Sequence, residues 1–219
     1  SRMAACVTRA GGVVNKYMGD GMMALFGVPR QIEHPADRAL ECASQMQYEL
    51  EALNTERGAL GLQPIEAGIG LHGGKVLAGN IGSAERLEYT VIGDAVNAAS
   101  RMEGLTKEFG ARIVFSEEIL RRLDTPEKFS RRFLGRAHVK GRSESLAVFE
   151  SLDAAWPHAV RAARLAAAPH IERAIIARAG GDLSEARRRL EEAERCSPED
   201  PAVRYLRARL EKDDGNQSE

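Results

Sequence analysis

Residues 14–27 read Val-Asn-Lys-Tyr-Met-Gly-Asp-Gly-Met-Met-Ala-Leu-Phe-Gly, and this segment contains the most informative turn of the chain. Two apolar runs, 13–18 and 22–26, flank the turn Gly19-Asp20-Gly21. An Asp-Gly pair between two such runs is a strong signal for a β-hairpin. Alone, the tripeptide indicates a tight turn with an exposed carboxylate. The functional alternative is a hairpin tip that presents its carboxylate to a hard cation.

A second informative stretch is 88–102, Glu-Tyr-Thr-Val-Ile-Gly-Asp-Ala-Val-Asn-Ala-Ala-Ser-Arg-Met. It predicts a strand followed by a helix over about 94–109. Asn97 and Arg101 are four residues apart, so both project from one face of that helix. An amide and a guanidinium at a strand-to-helix junction suit sugar and phosphate recognition. The structural alternative is an exposed Asn and a surface Arg that pairs with Asp or Glu.

The pattern along the chain predicts two regions. Up to residue 152, strands alternate with helices, which indicates an α/β sheet covered on at least one face. Further strands are predicted over 65–72, 76–81, 89–92, 112–115, 133–139 and 146–152. Beyond residue 153 the composition shifts to Ala, Arg and Glu, and helices are predicted over 158–179, 183–195 and 201–212. We therefore expect one domain over 1–152 and a helical tail over 153–219.

Composition excludes several classes of protein. The 219 residues include 31 Lys and Arg against 32 Asp and Glu, a net charge of -1 that argues against a nucleic-acid binder. No apolar run is long enough to span a bilayer. The three cysteines are odd in number and far apart, as in a reducing compartment, so we expect a cytoplasmic location. The chain begins within a helical pattern, and upstream segments of an intact parent could attach it to a membrane.

Together the two stretches resemble the signature segments of the class III nucleotidyl cyclase catalytic domain. Segments 68–74 (Gly-Ile-Gly-Leu-His-Gly-Gly) and 79–82 (Gly-Asn-Ile-Gly) match that family in character and order. The resemblance covers about residues 1–152. It implies a ferredoxin-like α+β fold, a homodimer with active sites at the subunit interface, and ATP or GTP as substrate.

The resemblance also implies a role for each matching residue. Lys16 and Thr90 match the pair that recognises the purine, and Lys with Thr resembles the adenine-selective pattern. Asn97 matches the residue that orients the ribose, and Arg101 the one that stabilises charge on the α-phosphate. Asp20 matches the second of two metal-binding aspartates, which hold two Mg²⁺ (or Mn²⁺) ions per complete site. Two basic residues match the region that contacts the triphosphate: Lys140 and Arg142.

One part of the family pattern has no counterpart. The first metal aspartate lies well upstream of the second, and position 20 leaves no room for it. We therefore expect that the first strand and one metal ligand are absent and that the isolated chain is inactive. Asp37 and Asp94 are not substitutes, because Asp37 lies within a predicted helix and Asp94 belongs to the helix-start motif.

Three functions stay open on this evidence. The first is an adenylyl cyclase catalytic fragment that converts ATP to cyclic AMP in the intact parent. The second is a non-catalytic cyclase-like module for dimerisation or nucleotide binding. The third is a guanylyl cyclase, which Lys16 disfavours. The tail over 174–209 resembles one tetratricopeptide-like helical pair, which needs a neighbour. That neighbour is the cyclase domain, the other subunit of the dimer, a further repeat or a protein partner.

Overall fold

The computed structural model describes residues 2–83, 86–139 and 145–217, with the backbone alone for 81–83, 86–89 and 214–217. The first half contains α1 (Arg2–Arg9), β1 (Val13–Met18), β2 (Gly21–Leu25), α2 (Pro35–Ala59), β3 (Ile69–Leu71), β4 (Leu77–Ser83), β5 (Arg86–Ile92) and α3 (Asp94–Phe109). Then follow β6 (Ile113–Ser116), α4 (Glu117–Leu120), a 3-10 helix (Pro126–Lys128), β7 (Arg131–Ala137), β8 (Leu146–Ser151), α5 (His158–Ala179), α6 (Leu183–Cys196) and α7 (Pro201–Gln217). The predicted mixture of helices and strands, with helices after the sheet, is confirmed.

Three sheets form from the eight described strands. The largest has the order β3-β6-β8-β7, in which β3 and β6 are parallel and the other neighbours are antiparallel. The hairpins β1–β2 and β4–β5 each form a two-stranded antiparallel sheet. The Gly19-Asp20 turn connects the first hairpin, as its sequence predicts.

A groove of about 340 Å³ separates the first hairpin from the four-stranded sheet. Both β2 and β3 border it, and each is an end strand of its sheet within the described ranges. Its walls include apolar side chains from β2, the residue after it, α2 and β3: Met22, Ala24, Phe26, Ala39, Ile69 and Leu71. Two strand edges thus border one apolar groove.

Helix α3 lies directly on the four-stranded sheet. A Cβ atom added at Gly70 in β3 would lie 2.1 Å from the backbone nitrogen of Glu103, so only glycine permits this approach. Ala98, Met102 and Leu105 of α3 are buried in the core. Glycine at position 70 therefore sets the depth at which α3 packs.

The helical tail packs against the same core. Buried apolar side chains of α3, β6, β7 and β8 form one cluster with buried residues of the tail: Ala167, Ile171, Ala174, Ala186, Leu190, Ala193, Ala202, Val203, Leu206 and Leu210. Asp182 caps α6 by accepting a hydrogen bond from the backbone of Glu185 at 2.9 Å. No helix in the described ranges is both long and apolar enough to cross a membrane.

A buried ionic network joins the sheet to the tail. Arg132 of β7 donates a 2.6 Å hydrogen bond to Glu150 of β8 and pairs with both carboxylate oxygens of Asp200, the residue before α7. Arg164 of α5 donates to the other oxygen of Glu150. The network contains two guanidinium groups and two carboxylates, so each buried positive charge is matched by a buried negative one.

Asp200→Ala is expected to lower the free energy of unfolding by about 3–5 kcal/mol, because it leaves Arg132 buried with one partner lost. The side chains of Arg132 and Asp200 are both 0% exposed, so solvent cannot replace the lost carboxylate. Urea unfolding followed by circular dichroism measures the change. Glu199→Ala is the matched control, since the Glu199 side chain is 94% exposed. Equal stabilities of the two variants would contradict the prediction.

Candidate active site

Lys16 and Thr90 meet although they lie on different hairpins. The Lys16 Nζ atom is 3.3 Å from the Thr90 Oγ1 atom, and the amine donates to the hydroxyl. A register shift between Val14 and Lys16 interrupts the β1–β2 ladder just before the lysine. Lys16 is exposed and Thr90 is half-buried. The pair therefore presents an amine and a hydroxyl to solvent at one place. Recognition of the polar edge of a nucleobase requires such a combination.

Asn97 and Arg101 both lie on α3, one turn apart, as predicted. Asn97 is exposed and Arg101 is partly exposed. The Arg101 Nη1 atom donates to the Glu108 Oε1 atom at 2.6 Å. Arg101 therefore forms a surface ion pair, as the structural alternative predicts, and Asn97 is exposed to solvent.

The sequence did not predict that two residues, Glu108 and Tyr205, would belong to this arrangement. The Tyr205 hydroxyl donates to the Glu108 Oε2 atom at 2.8 Å. Partial burial raises the pKa of Glu108, but the hydrogen bonds from Tyr205 and Arg101 outweigh that effect and hold the pKa below its usual value. The i, i+7 spacing of Arg101 and Glu108 places both on one face of the helix, which is a sequence signal for their pairing. No local sequence pattern indicates that Tyr205 contacts Glu108.

Asp20 occupies the exposed turn between β1 and β2. Gly19 before it has φ of +62°, which glycine adopts without strain. The described residues contain no group of three or more His, Cys, Asp or Glu side chains able to hold a metal ion. One exposed carboxylate does not suffice for Mg²⁺, which needs several oxygen ligands in near-octahedral geometry. Asp20 therefore fits part of a metal site and not a complete one.

The remaining candidate residues separate into two groups. Lys140 and Arg142, the predicted triphosphate contacts, lie outside the described residues. Asp37 has a structural role, because its carboxylate accepts hydrogen bonds from the backbone of Asp124 (2.9 Å) and from the Thr125 hydroxyl (2.7 Å). These bonds outweigh the effect of burial and lower the pKa of Asp37. The exclusion of Asp37 as a metal ligand agrees with this arrangement.

A cleft of about 600 Å³ opens beside the start of α3. The turn Gly73-Gly74, the junction Gly93-Asp94 and the pair Glu118 and Arg122 line it. None of the four candidate residues on β1, β5 and α3 is among its lining. The candidate residues therefore lie outside this cleft, on exposed or partly exposed positions of β1, β5 and α3.

Comparison with known proteins decides the family. The model of the Adenylate and Guanylate cyclase catalytic domain matches residues 3–150, about two thirds of the chain. The chain belongs to this family. An adenylate cyclase of Anabaena cylindrica is 43% identical over 153 residues, which cover 68% of this chain and 30% of that protein. The chain therefore spans about a third of that relative's length.

Solved cyclase structures share the fold. The guanylyl cyclase Cya2 is 33% identical with a TM-score of 0.60, and the match covers 72% of this chain and 78% of that chain. The adenylyl cyclase CyaB from P. aeruginosa is 28% identical with a TM-score of 0.62, covering 68% and 76%. Adenylyl and guanylyl cyclases are thus about equally similar in structure, so overall similarity does not determine which nucleotide this cyclase domain uses.

Proposed function

We propose that this chain is the catalytic part of an adenylyl cyclase, which converts ATP to cyclic AMP and pyrophosphate. The observation that supports the choice of ATP is the contact between Lys16 and Thr90. A lysine amine donates only, so it suits the N1 acceptor of adenine and opposes the N1–H donor of guanine. The Thr90 hydroxyl both donates and accepts, so it can complete the hydrogen bonding of the adenine edge.

The chemistry is an internal phosphoryl transfer. The ribose 3′-oxygen attacks the α-phosphorus, and its hydroxyl proton passes to solvent water. The bond from that phosphorus to the bridging oxygen breaks, and pyrophosphate leaves with the electron pair. Asn97 would orient the ribose so that the 3′-oxygen lies in line, and the Arg101 guanidinium would stabilise charge that develops on the α-phosphate.

The proposed site also needs metal and triphosphate ligands that the described residues do not supply in full. Asp20 would supply one carboxylate for Mg²⁺ or Mn²⁺, and two ions per site require a further carboxylate. Lys140 and Arg142 would contact the triphosphate. The groove between β2 and β3 would accept a further strand, because within the described ranges each of the two is an end strand of its sheet and both border the groove.

A homodimer is part of the proposal. Large apolar side chains are exposed near the candidate site: Tyr17 (63%), Met18 (55%), Leu77 (70%) and Ile92 (53%). Exposed apolar side chains that lie close together are more typical of a protein interface than of a surface that stays in contact with solvent. A second subunit on these hairpins would cover Lys16 and Thr90 and bring another Asp20 to the site. We also expect a cytoplasmic location and no nucleic-acid partner.

A non-catalytic nucleotide-binding module is the second candidate, because the described residues supply one metal-binding carboxylate. The isolated 219-residue chain is expected to form no cyclic AMP above background with ATP and Mg²⁺, since one carboxylate cannot hold two ions. A longer polypeptide that adds a strand with a second aspartate should form cyclic AMP from ATP in preference to cyclic GMP from GTP. Chromatographic separation of the products measures both.

The two polypeptides give outcomes that separate the candidates. Rapid cyclic AMP formation by the isolated chain would show that another residue replaces the second carboxylate. A longer polypeptide that binds ATP and stays inactive would favour the non-catalytic module. Preferential formation of cyclic GMP would refute the adenylyl assignment while leaving the cyclase family unaffected.

A further inference from the structure

Arg101, in the middle of α3, pairs with a residue near the C-terminal end of the same helix. Glu108 lies seven residues further along α3, which is two turns and about 10 Å along the helix axis. Asn97 lies one turn away in the opposite direction. Helical side chains lean toward the N-terminus, so a partner two turns beyond Arg101 draws its guanidinium away from Asn97. The Arg101 guanidinium is therefore directed toward the C-terminal end of α3, on the side away from the turn that carries Asn97.

Glu108 is itself held by the helical tail. Its second carboxylate oxygen accepts the hydroxyl of Tyr205, from α7, at 2.8 Å. The Tyr205 ring packs edge-on against Phe109, with 4.7 Å between ring centroids. Burial and the bond to Glu108 both raise the pKa of Tyr205, so its hydroxyl stays protonated and donates. One carboxylate oxygen of Glu108 thus contacts Arg101 and the other contacts the tail.

The position of Tyr205 is fixed by the start of α7. Asp200 accepts a hydrogen bond from the backbone of Ala202 at 3.1 Å and also belongs to the buried network with Arg132. Pro201 packs on Gly110, where an added Cβ would lie 2.5 Å from the proline ring and φ is +57°. These contacts set the distance between α7 and the end of α3.

We propose that Glu108 and Tyr205 are positioning residues that hold Arg101 in a resting orientation. In it Glu108, which Tyr205 of the tail holds in place, competes with the nucleotide phosphates for the guanidinium. The proposal rests on the proposed function, which assigns Arg101 to the α-phosphate. A guanidinium pairs with a carboxylate or a phosphate in similar geometry, so ATP must displace Glu108 to engage Arg101. A movement of α7 that withdraws Tyr205 would loosen Glu108 and favour the nucleotide.

Glu108→Gln tests the competition, because glutamine keeps the size of the side chain and removes its charge. The dissociation constant for ATP, from an NMR titration of the 219-residue chain, should fall about two- to fivefold, the range for releasing one partly exposed ion pair. Arg101 and Glu108 side chains are 41% and 31% exposed, which justifies that modest range. Glu103→Gln is the matched control, since Glu103 is an exposed acid on the same helix.

A double-variant cycle separates positioning from general electrostatics. In an Arg101→Ala background, Glu108→Gln should leave the ATP dissociation constant unchanged, because the group it acts through is gone. Tyr205→Phe keeps the ring packing on Phe109 and removes the hydroxyl. It should shift the Arg101 Nε–Hε resonance in the same direction as Glu108→Gln does, with the midpoint of thermal unfolding nearly unchanged.

Two results would overturn the inference. One is a Glu108→Gln chain that binds ATP no more tightly than the Glu103→Gln control. The other is an Arg101 resonance that neither substitution moves. In both cases weaker ATP binding by Arg101→Ala alone would leave the proposed function standing. If Arg101→Ala binds ATP as well as the unsubstituted chain does, the assignment of Arg101 to the phosphate fails and the inference fails with it.

Discussion

Asp20→Ala and Arg101→Ala are each expected to reduce cyclic AMP formation by about 100-fold or more in an active polypeptide that contains this chain. Loss of a group that stabilises transition-state charge costs about 10²–10³ in turnover, and loss of a metal ligand should cost no less. The rate of cyclic AMP formation at saturating ATP measures both effects. Glu41→Ala and Lys107→Ala are matched controls, because each removes an exposed charge of the same sign elsewhere on the domain.

Mixing the two inactive variants tests whether the site is shared between subunits. If one subunit supplies Asp20 and the other Arg101, a heterodimer of the variants contains one site with both residues and one with neither. Half of the subunits in an equal mixture should pair in this way, so activity should recover to about a quarter of the unsubstituted rate if all dimers form equally well. No recovery, despite subunit exchange shown by mass spectrometry, would contradict a shared site.

Local sequence signals account for most of the elements. The Gly-Asp turn defined the first hairpin, and the helix over 94–109 was predicted with the bounds that the structure shows. The predicted helix starts at 158, 183 and 201 are confirmed. The strand predicted over 65–72 is wrong in length, because only Ile69–Leu71 finds a ladder partner, on β6. Alternating polarity predicts an extended segment but not how much of it is paired.

Contacts between distant segments could not be predicted from spacing. Lys16 and Thr90 are 74 positions apart, and the family resemblance alone suggested that they act together. The charged side chains of Arg132 and Glu150 gave no sign of burial, because charged residues in strands usually face solvent. Tyr205 likewise lies in a predicted helix with no local signal for a partner, because its contact with Glu108 depends on how the tail packs on α3.

The prediction that depends on the purine pair concerns the choice of nucleotide. In an active polypeptide, Lys16→Glu together with Thr90→Cys should shift the ratio of kcat/KM for ATP to that for GTP by about 10- to 100-fold toward GTP. Glutamate accepts from guanine N1–H and from the exocyclic amine, while loss of the lysine removes the donor suited to adenine N1. A polar mismatch of about 1–3 kcal/mol accounts for the range, since the second subunit proposed above would exclude water from the pair.

The control must separate recognition from a change in net charge. Lys128→Glu makes the same charge change at an exposed lysine of the 3-10 helix, so the ratio for ATP and GTP should stay unchanged there. Lower turnover of the double variant with both nucleotides does not weaken the prediction, since the ratio and not the rate reports recognition. If the double variant keeps its preference for ATP, Lys16 is a surface lysine beside a hairpin. The choice of adenine must then depend on other residues, even though the cyclase fold is unchanged.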